Sequence, residues 1–354
     1  MLERLIEQFG DDAVLMMSGA VVGVIFGMAA QHSRFCLRAA TIEVSDGLLG
    51  PRLSIWLIAF CSAVLGVQGA IWVGLLDVSQ ARQLATAGSI SGAVIGGLMF
   101  GAGMILARGC ASRLLVLSAT GNLRAILTGL VLTLVAQASL RGVLAPMREQ
   151  LAALWLIDGG DARNLLSLLG LSSGAATLAA ALALGAALVF AIRSQTGLTR
   201  MLGAVVVGAA VALGWVLTYA IAQTSFEVVA ISSVTFTGPS TDTLMGLVNT
   251  TALPLGFGVG LVPGVFAGAA LMALASNEAR IERFGPDTPM ERYLIGAVLM
   301  GFGSMLAGGC AVGAGMSGGS VFALTAWLAV FSMWIGAMAT HRLVQARPSL
   351  TPAQ

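Results

Sequence analysis

Nine apolar stretches of 15 to 24 residues recur along the chain, and they leave little room for anything but membrane-spanning helices. A helix that crosses the hydrocarbon core of a bilayer needs about 20 predominantly apolar residues. Only 10% of the residues are charged, against about 25% in an ordinary soluble domain. The stretches cover residues 13–31, 53–76, 89–107, 124–145, 174–192, 201–222, 255–275, 293–307 and 322–340. We therefore predict an all-α membrane protein with about nine transmembrane helices in the lipid bilayer.

Several shorter helical segments are expected to re-enter the membrane without crossing it. The stretch before Cys110 ends at Arg108, and 293–307 is short for a spanning helix, so both helices are predicted to break inside the protein. Irregular backbone at membrane depth is tolerated only where protein or a water-filled cavity covers it. The predicted short helices cover residues 36–48, 111–119, 244–252 and 311–319.

The charge and cysteine content argue against several classes of function. The net charge is only +2, so nucleic acid is not expected as a partner. The N-terminal segment lacks a basic region, and we expect no cleavable signal peptide. No nucleotide-binding P-loop is present, which argues against direct use of ATP. The four cysteines form no CxxC motif and no tight cluster, which argues against a disulfide scaffold. We also expect no metal site, no cofactor and no enzyme activity.

An internal repeat links the two ends of the chain. With an offset of 200, residues 96–111 and 296–311 are identical at eight of sixteen positions and share the pattern G-x-G-x-x-L-A-x-G-C-A. Matching glycine-interrupted segments in two halves of a transporter point to a substrate site. We predict one transport domain, residues 1–354, with repeat halves at 13–145 and 201–341. The connecting region 146–200 is expected to contain one helix.

The repeated glycine–cysteine corner suggests an anion site. Gly109 and Gly309 allow the chain to turn where a helix breaks, and a short helix that starts just after the corner presents its positive N-terminus. A thiol at that point is a weak donor and a soft, polarisable surface. Cys110 and Cys310 are therefore predicted to hold an anion that exposes a sulfur atom.

Cys36 occupies a similar place after the first long helix, within "GMAAQHSRFCLRAA". Arg34 and Arg113 stand close to the cysteines in sequence and are further candidates for binding the anion. Arginine at bilayer depth costs about 2.5–3.5 kcal/mol on insertion scales, although any single one can also mark the membrane interface. Cys61 lies in the middle of an apolar stretch and is interpreted as a core residue.

Five segments carry a resemblance to a known family. They are "QHSRFCLRA" (31–39), "ARGCASRLLVLSATGNLRA" (107–125), "LRG" (140–142), "SVTFTGPSTDTL" (233–244) and "AGGCAVGAGMSGGS" (307–320). At these motifs the chain resembles the YeeE/YedE family of sulphur transporters over nearly its whole length. The resemblance implies an hourglass of nine spanning and several short helices in two pseudo-symmetric halves.

The resemblance also implies a function. The best-known activity of the family is thiosulfate uptake across the bacterial inner membrane, and some members are assigned to other sulfur or selenium compounds. Cys36, Cys110 and Cys310 match the three cysteines proposed to pass the anion along the pore. The implied partners are a small sulfur-containing anion and a cytosolic sulfur-carrier protein of the sulfurtransferase type. Some relatives carry such a carrier domain fused to their C-terminus, and from this sequence we expect none.

Three other interpretations of the cysteines remain open. A membrane thiol oxidoreductase requires a close cysteine pair, which distant residues can form only in the folded chain. A transporter for a soft metal ion would use the same cysteines with methionines, but helix N-termini repel cations. The repeated corners could also serve packing alone.

The loops predict the orientation in the membrane. Residues 223–243 contain no Lys or Arg, whereas 276–292 and the C-terminal tail are basic. Basic loops stay in the cytoplasm, so we expect the tail inside and both residues 223–243 and the N-terminus outside.

A reporter enzyme that works only in the cytoplasm should be active when it is fused after Gln354. Activity of a periplasm-specific reporter at that position would contradict the predicted topology.

Overall fold

The computed structural model describes residues 2–225, 227–249, 254–284 and 289–346, and it is almost entirely helical. The helices are α1 (Leu2–Phe9), α2 (Asp11–Ser33), α3 (Leu37–Ser45), α4 (Pro51–Trp72), α5 (Arg82–Ala85), α6 (Ile90–Leu106), α7 (Ala111–Ala119), α8 (Leu123–Arg141), α9 (Ala145–Ala153), α10 (Leu165–Leu169), α11 (Ser173–Arg193), α12 (Leu198–Thr224), α13 (Thr237–Asn249), α14 (Phe257–Ala275), α15 (Met290–Leu306) and α16 (Leu324–Gln345). A 3₁₀ turn spans Gly160–Arg163, a π-helical segment spans Gly313–Gly318, and two short strands, β1 (Gly88–Ser89) and β2 (Leu156–Ile157), pair antiparallel.

All nine predicted apolar stretches form helices, and the protein is an all-α, multi-pass membrane protein. Within the described residues, eight helical segments are long and apolar enough to cross a membrane. The ninth helix, α15, has 17 residues and falls just short of that length. The connecting region 146–200 contains α11 and, in addition, part of α9, the 3₁₀ turn and α10.

Helix boundaries recur along the chain at the offset of 200 that the repeat predicted. Helix α6 starts at residue 90 and ends at residue 106, and α15 starts at 290 and ends at 306. Helix α3 corresponds in the same way to α13, and α7 to the π-helical segment. The two halves are therefore pseudo-symmetric, while their division at residues 13–145 and 201–341 stays a prediction. The helix predicted at 244–252 was placed too late: α13 starts at Thr237, and residues 250–252 lie outside the described residues.

Helices α6 and α15 pack antiparallel through reciprocal glycines. A Cβ atom on Gly96 would lie 2.5 Å from the backbone nitrogen of Ala307, and one on Gly296 would lie 2.6 Å from that of Ala107. The start of each helix therefore contacts the end of the other. Because the cysteine corners follow Ala107 and Ala307, they lie at opposite ends of this helix pair.

Helices α2 and α14 approach each other as closely. A Cβ atom on Gly23 would lie 2.5 Å from the carbonyl oxygen of Leu261, and one on Gly264 the same distance from that of Ala20. Small residues at such spacing let two helix backbones pack in contact, the arrangement by which membrane helices associate without a hydrophobic driving force.

Contacts between helix ends define two sides of the molecule. On one, which we call the Arg34 side, Arg34 follows α2 and its side chain binds Glu278 after α14, while His341 near the end of α16 contacts Asp46. On the other, the Arg163 side, the backbone nitrogen of Leu165 donates to Phe322 before α16. The chain between α12 and α13 lies on the Arg163 side, opposite the end of α16, as the topology prediction requires.

The glycine packing gives a stability prediction. Gly96→Ala should destabilise the protein by about 1–3 kcal/mol, because the new methyl group overpacks a backbone contact. Gly185 in α11 has open space around its Cα atom, so Gly185→Ala should be neutral or stabilising by about 0.5–1 kcal/mol. Thermal denaturation of the purified proteins in one detergent compares them. Equal midpoints for the two variants would contradict the close approach of α6 and α15.

Candidate functional site

Three long helices end in the same backbone corner, two residues before a cysteine. The corner residue adopts a left-handed conformation: Arg34 after α2 (φ 56°), Arg108 after α6 (φ 56°) and Gly308 after α15 (φ 79°). In each corner the next amide bonds back across the last helical turn, the hydrogen-bond pattern of a Schellman C-cap. These bonds are Phe35 N to Ala30 O (3.1 Å), Gly109 N to Met104 O (3.1 Å) and Gly309 N to Ser304 O (2.9 Å).

Two of the corners carry arginine where glycine would be unstrained. A residue with a Cβ atom in the left-handed region costs about 1–3 kcal/mol and persists only where the surroundings impose it. In the second half, Gly308 makes the same turn without that cost. The turn itself therefore does not require arginine at either corner.

Each cysteine stands at the start of a short helical segment. Cys36 and Cys110 are the N-cap residues of α3 and α7 and have extended backbone conformations. Their sulfur atoms lie close to the backbone amides three residues further on. The amide of Gly313 donates to the sulfur of Cys310 at 3.5 Å in the corresponding place. All three thiols therefore lie at helix N-termini, where backbone amides and the helix dipole favour an anion.

The fold brings two of these thiols together. The thiols of Cys36 and Cys110 are direct neighbours, and the sulfur of Cys110 is also 3.3 Å from the hydroxyl of Ser112. Cys110 and Cys310 are buried, and Cys36 is half-buried. Cys310 follows the opposite end of the α6–α15 pair. Cys61 lies in the middle of α4, away from the corners.

A cavity of about 500 Å³ opens beside Cys36 on the Arg34 side. Arg34 and Arg113, which the sequence analysis selected, both line it. Four further arginines also line it: Arg38, Arg52, Arg108 and Arg200. Its wall contains no carboxylate from the described part of the chain. The arrangement concentrates positive charge next to a thiol, which suits a sulfur-containing anion. We refer to it as the arginine cavity.

One carboxylate stands at the rim of the arginine cavity. Glu278 accepts hydrogen bonds from Arg34 at 2.9 Å and from the side-chain amide of Gln31 at 2.8 Å. Arg113 contacts the oxygen of the same amide at 3.4 Å. The hydrogen bond from Arg34 holds the pKa of Glu278 below its ordinary value. Glu278 therefore occupies part of the positive rim as a carboxylate anion.

Tyr293 fixes the arginine corner after α6. The guanidinium of Arg124 lies 4.9 Å from the centre of the Tyr293 ring, and that of Arg108 lies 6.0 Å from it. Arg124 also donates to the carbonyl oxygen of Ala107 at 3.0 Å. This bond satisfies a carbonyl at the end of α6, while the cation–π contacts hold both guanidinium groups in place.

The start of α13, which the sequence analysis did not select, corresponds by the offset to the Cys36 corner but has neither a left-handed residue nor a cysteine; we call it the fourth corner. The offset of 200 places Phe236 where the first half has Cys36. Phe236 is buried and its ring lies 5.3 Å from that of Phe26. Thr235, next to it, packs against Gly313. The third residue of α13 is Pro239, which has no amide hydrogen that needs a cap, and this proline is the signal that distinguishes the fourth corner in the sequence.

Side chains satisfy the extended backbone before α13, which is buried. The hydroxyl of Ser317 donates to the carbonyl of Val234 at 2.6 Å, and that of Thr218 donates to the carbonyl of Ser232 at 2.7 Å. Non-helical backbone at membrane depth needs partners of this kind. The segment therefore forms part of the lining between the two halves.

The family model described as sulphur transport matches residues 32–339. The chain belongs to this family, the YeeE/YedE family of sulphur transporters. The matched range contains all three corner cysteines, so the family resemblance predicted from the motifs is confirmed.

Two relatives in the family match along almost their whole length. The thiosulfate transporter TsuA of Escherichia coli K12 is 27% identical over 348 residues, which cover 94% of this chain and 96% of the relative. The thiosulfate transporter TsuA of Spirochaeta thermophila is 26% identical over 343 residues, which cover 91% and 97%. The shared length shows that both halves and all of the cysteine corners fall within the region of similarity.

Proposed function

We propose that this protein is a permease, and not an enzyme, that carries thiosulfate or a closely related sulfur anion across the bacterial inner membrane. The observation that carries the proposal is the pair of neighbouring thiols, Cys36 and Cys110, beside the arginine cavity. The names of the two relatives support the choice of anion. Growth of a thiosulfate-uptake-deficient strain on thiosulfate as sole sulfur source tests it.

The chemistry of thiosulfate matches the two kinds of group in the site. The ion carries two negative charges and one terminal sulfur atom. Helix N-termini and arginines attract the charges, while a thiol offers the terminal sulfur a soft contact. Gly109 and Gly309 leave the corners without a Cβ atom next to the anion. The anion would pass from Cys310 to Cys110 and Cys36 and then into the arginine cavity, near Arg34 and Arg113.

The distribution of arginine supports an orientation with the Arg34 side in the cytoplasm. Among the described residues, that side carries Arg34, Arg38, Arg52, Arg108, Arg113, Arg124, Arg193, Arg200, Arg280, Arg283, Arg292 and Arg342. The Arg163 side carries Arg4, Arg82, Arg141, Arg148 and Arg163. Basic residues near helix ends favour the cytoplasm. In this orientation the arginine cavity faces a cytosolic sulfur-carrier protein, which we propose collects the anion there. Uptake by strains that lack such carriers tests this partner.

One observation favours a second candidate function. The contact between Cys36 and Cys110 is the close thiol pair that a membrane thiol oxidoreductase requires. Such an enzyme would need the cysteine pair but would carry no labelled thiosulfate across the membrane. The soft-metal alternative receives no comparable support, because the described residues contain no group of three or more metal-binding side chains, and arginines repel cations. Uptake of ³⁵S-labelled thiosulfate into vesicles separates transport from thiol oxidation.

The role of Cys110 is tested by Cys110→Ala. Alanine is close in volume, so the fold should persist, while uptake of labelled thiosulfate should fall to the background of the empty strain. Cys61→Ala is the matched control, since Cys61 lies outside the corners, and it should transport at the wild-type rate. Normal uptake by a well-expressed Cys110→Ala protein would remove the thiol from the proposed path.

The role of the soft contacts is tested by competition with sulfate, which has the same charge but no terminal sulfur. Each weak thiol contact contributes about 0.5–1 kcal/mol, so two or three should favour thiosulfate by roughly 5- to 150-fold. Cys310→Ser keeps a donor but removes the soft atom, and it should reduce this preference more than it reduces anion binding. The measurement is inhibition of labelled thiosulfate uptake by sulfate. Equal competition by sulfate in the wild type would contradict the role of the thiols.

A further inference from the structure

A second basic cavity, of about 220 Å³, lies on the Arg163 side next to the Cys310 corner. Its wall includes Gly308 and Gly313, which flank Cys310 in the chain. The basic residues in the wall are Arg82, Arg148 and Arg163. The cavity lies on the opposite side of the protein from the arginine cavity, and nothing in the proposed path through the cysteines uses its arginines.

Arg163 is rigidly held in this wall but incompletely bonded. Its side chain is 93% buried, since only 7% of its surface is exposed. One terminal nitrogen donates to the carbonyl of Thr86 at 2.5 Å, and the other donates to the hydroxyl of Thr325 at 2.7 Å. The remaining nitrogen, Nε, is buried without a hydrogen-bond partner. An unsatisfied buried donor on a charged group is costly unless a ligand or water completes it.

The charge of Arg163 is also uncompensated. Within the described residues neither Arg163 nor Arg82 forms an ion pair, and no carboxylate lines the cavity. Burial lowers the pKa of Arg163, and the neighbouring charge of Arg82 lowers it further. Arg148 differs, because it binds Glu149 at 3.0 Å. Two like charges held near each other without a counter-ion favour binding of an anion between them.

A further polar group in the wall lacks a partner. The side-chain amide oxygen of Gln83 is buried and unbonded, and rotation of the amide by half a turn would present its NH₂ group instead. A water molecule occupies about 30 Å³ in the liquid, so the cavity holds one tetrahedral oxyanion with a few waters. All of its donors are nitrogen or oxygen groups; Met305 also lines it, but a thioether sulfur carries no proton to donate.

We infer that this cavity is a separate outer binding site for a tetrahedral oxyanion, held by Arg82 and Arg163 before it reaches Cys310. That the anion is the transported one rests on the proposed function. Because Arg82 and Arg163 bind through N–H groups to the oxygens that both ions carry, and no thiol lines the cavity within the described residues, the site binds sulfate and thiosulfate alike. Capture of the anion and recognition of its sulfur therefore occur at different places, the first at the arginines and the second at the thiols.

The test uses Arg82→Gln, because Arg82 is exposed and its substitution should leave the fold intact. Arg163 is buried, and its substitution could disturb the fold. The KM of thiosulfate uptake should rise roughly tenfold, the expected effect of losing one charged hydrogen bond, with the maximum rate within twofold of wild type. Inhibition by sulfate should weaken by the same factor, so the preference between the two ions stays constant. Arg193→Gln, at the end of α11 on the Arg34 side, is the matched control and should leave KM unchanged.

A binding measurement separates this inference from the proposed function. Sulfate should raise the thermal midpoint of the purified wild-type protein, and Arg82→Gln and Arg163→Lys should each need roughly ten times more sulfate for the same shift. If wild type binds sulfate through Arg82 but transports no thiosulfate, the proposed function fails and the outer site stands. If the Arg82→Gln protein has the same KM and the same sulfate affinity as the wild type, the proposed site is wrong. The proposed site is also wrong if phosphatidylglycerol, but not sulfate, raises the thermal midpoint in a way that depends on Arg82. The occupant of the cavity would then be a lipid headgroup.

Discussion

The left-handed corner that ends α2, α6 and α15 is the constraint on which the rest of the structure depends. A helix can stop inside a membrane only if its last carbonyls and the following amides find partners. The Schellman bonds of the three corners supply them within a few residues. The next segment can then start at membrane depth with its N-terminus free, and a cysteine stands at each of these starts.

Glycine packing sets where the corners lie relative to one another. Because α6 and α15 contact through reciprocal glycines and run antiparallel, the same local corner faces opposite sides of the molecule in the two halves. One opens next to the arginine cavity and the other next to the smaller basic cavity. A repeated motif thereby places a basic cavity on each side, with the cysteine corners between them.

The two halves are not equivalent in chemistry. The first half has two cysteine corners whose thiols are neighbours, whereas the second has one cysteine corner and, in place of the other, the buried ring of Phe236. The aromatic ring of Phe236 packs where a thiol would otherwise stand, and Thr235 brings a hydroxyl to Gly313. Soft contacts are therefore concentrated on the Arg34 side, and Cys310 provides the soft contact on the other side.

Much of this fold could be predicted from the sequence, because the responsible forces act over short stretches. About 20 apolar residues are enough to specify a spanning helix, the repeat around Cys110 and Cys310 was visible at a fixed offset, and α7 was placed at its observed residues 111–119. The start of α13 was missed, since the extended backbone before it is stabilised by Ser317 from a distant helix segment.

The sequence by itself determined the membrane-spanning helices, the duplicated corners and the identity of the cysteines at them, since each depends on local composition and on bonds within a few residues. Only the tertiary structure decided that Cys36 meets Cys110, that arginines from several helices share one cavity, and that Arg163 is buried without a counter-ion. These features depend on contacts between residues far apart in the chain, and such contacts leave no periodic signal in its sequence.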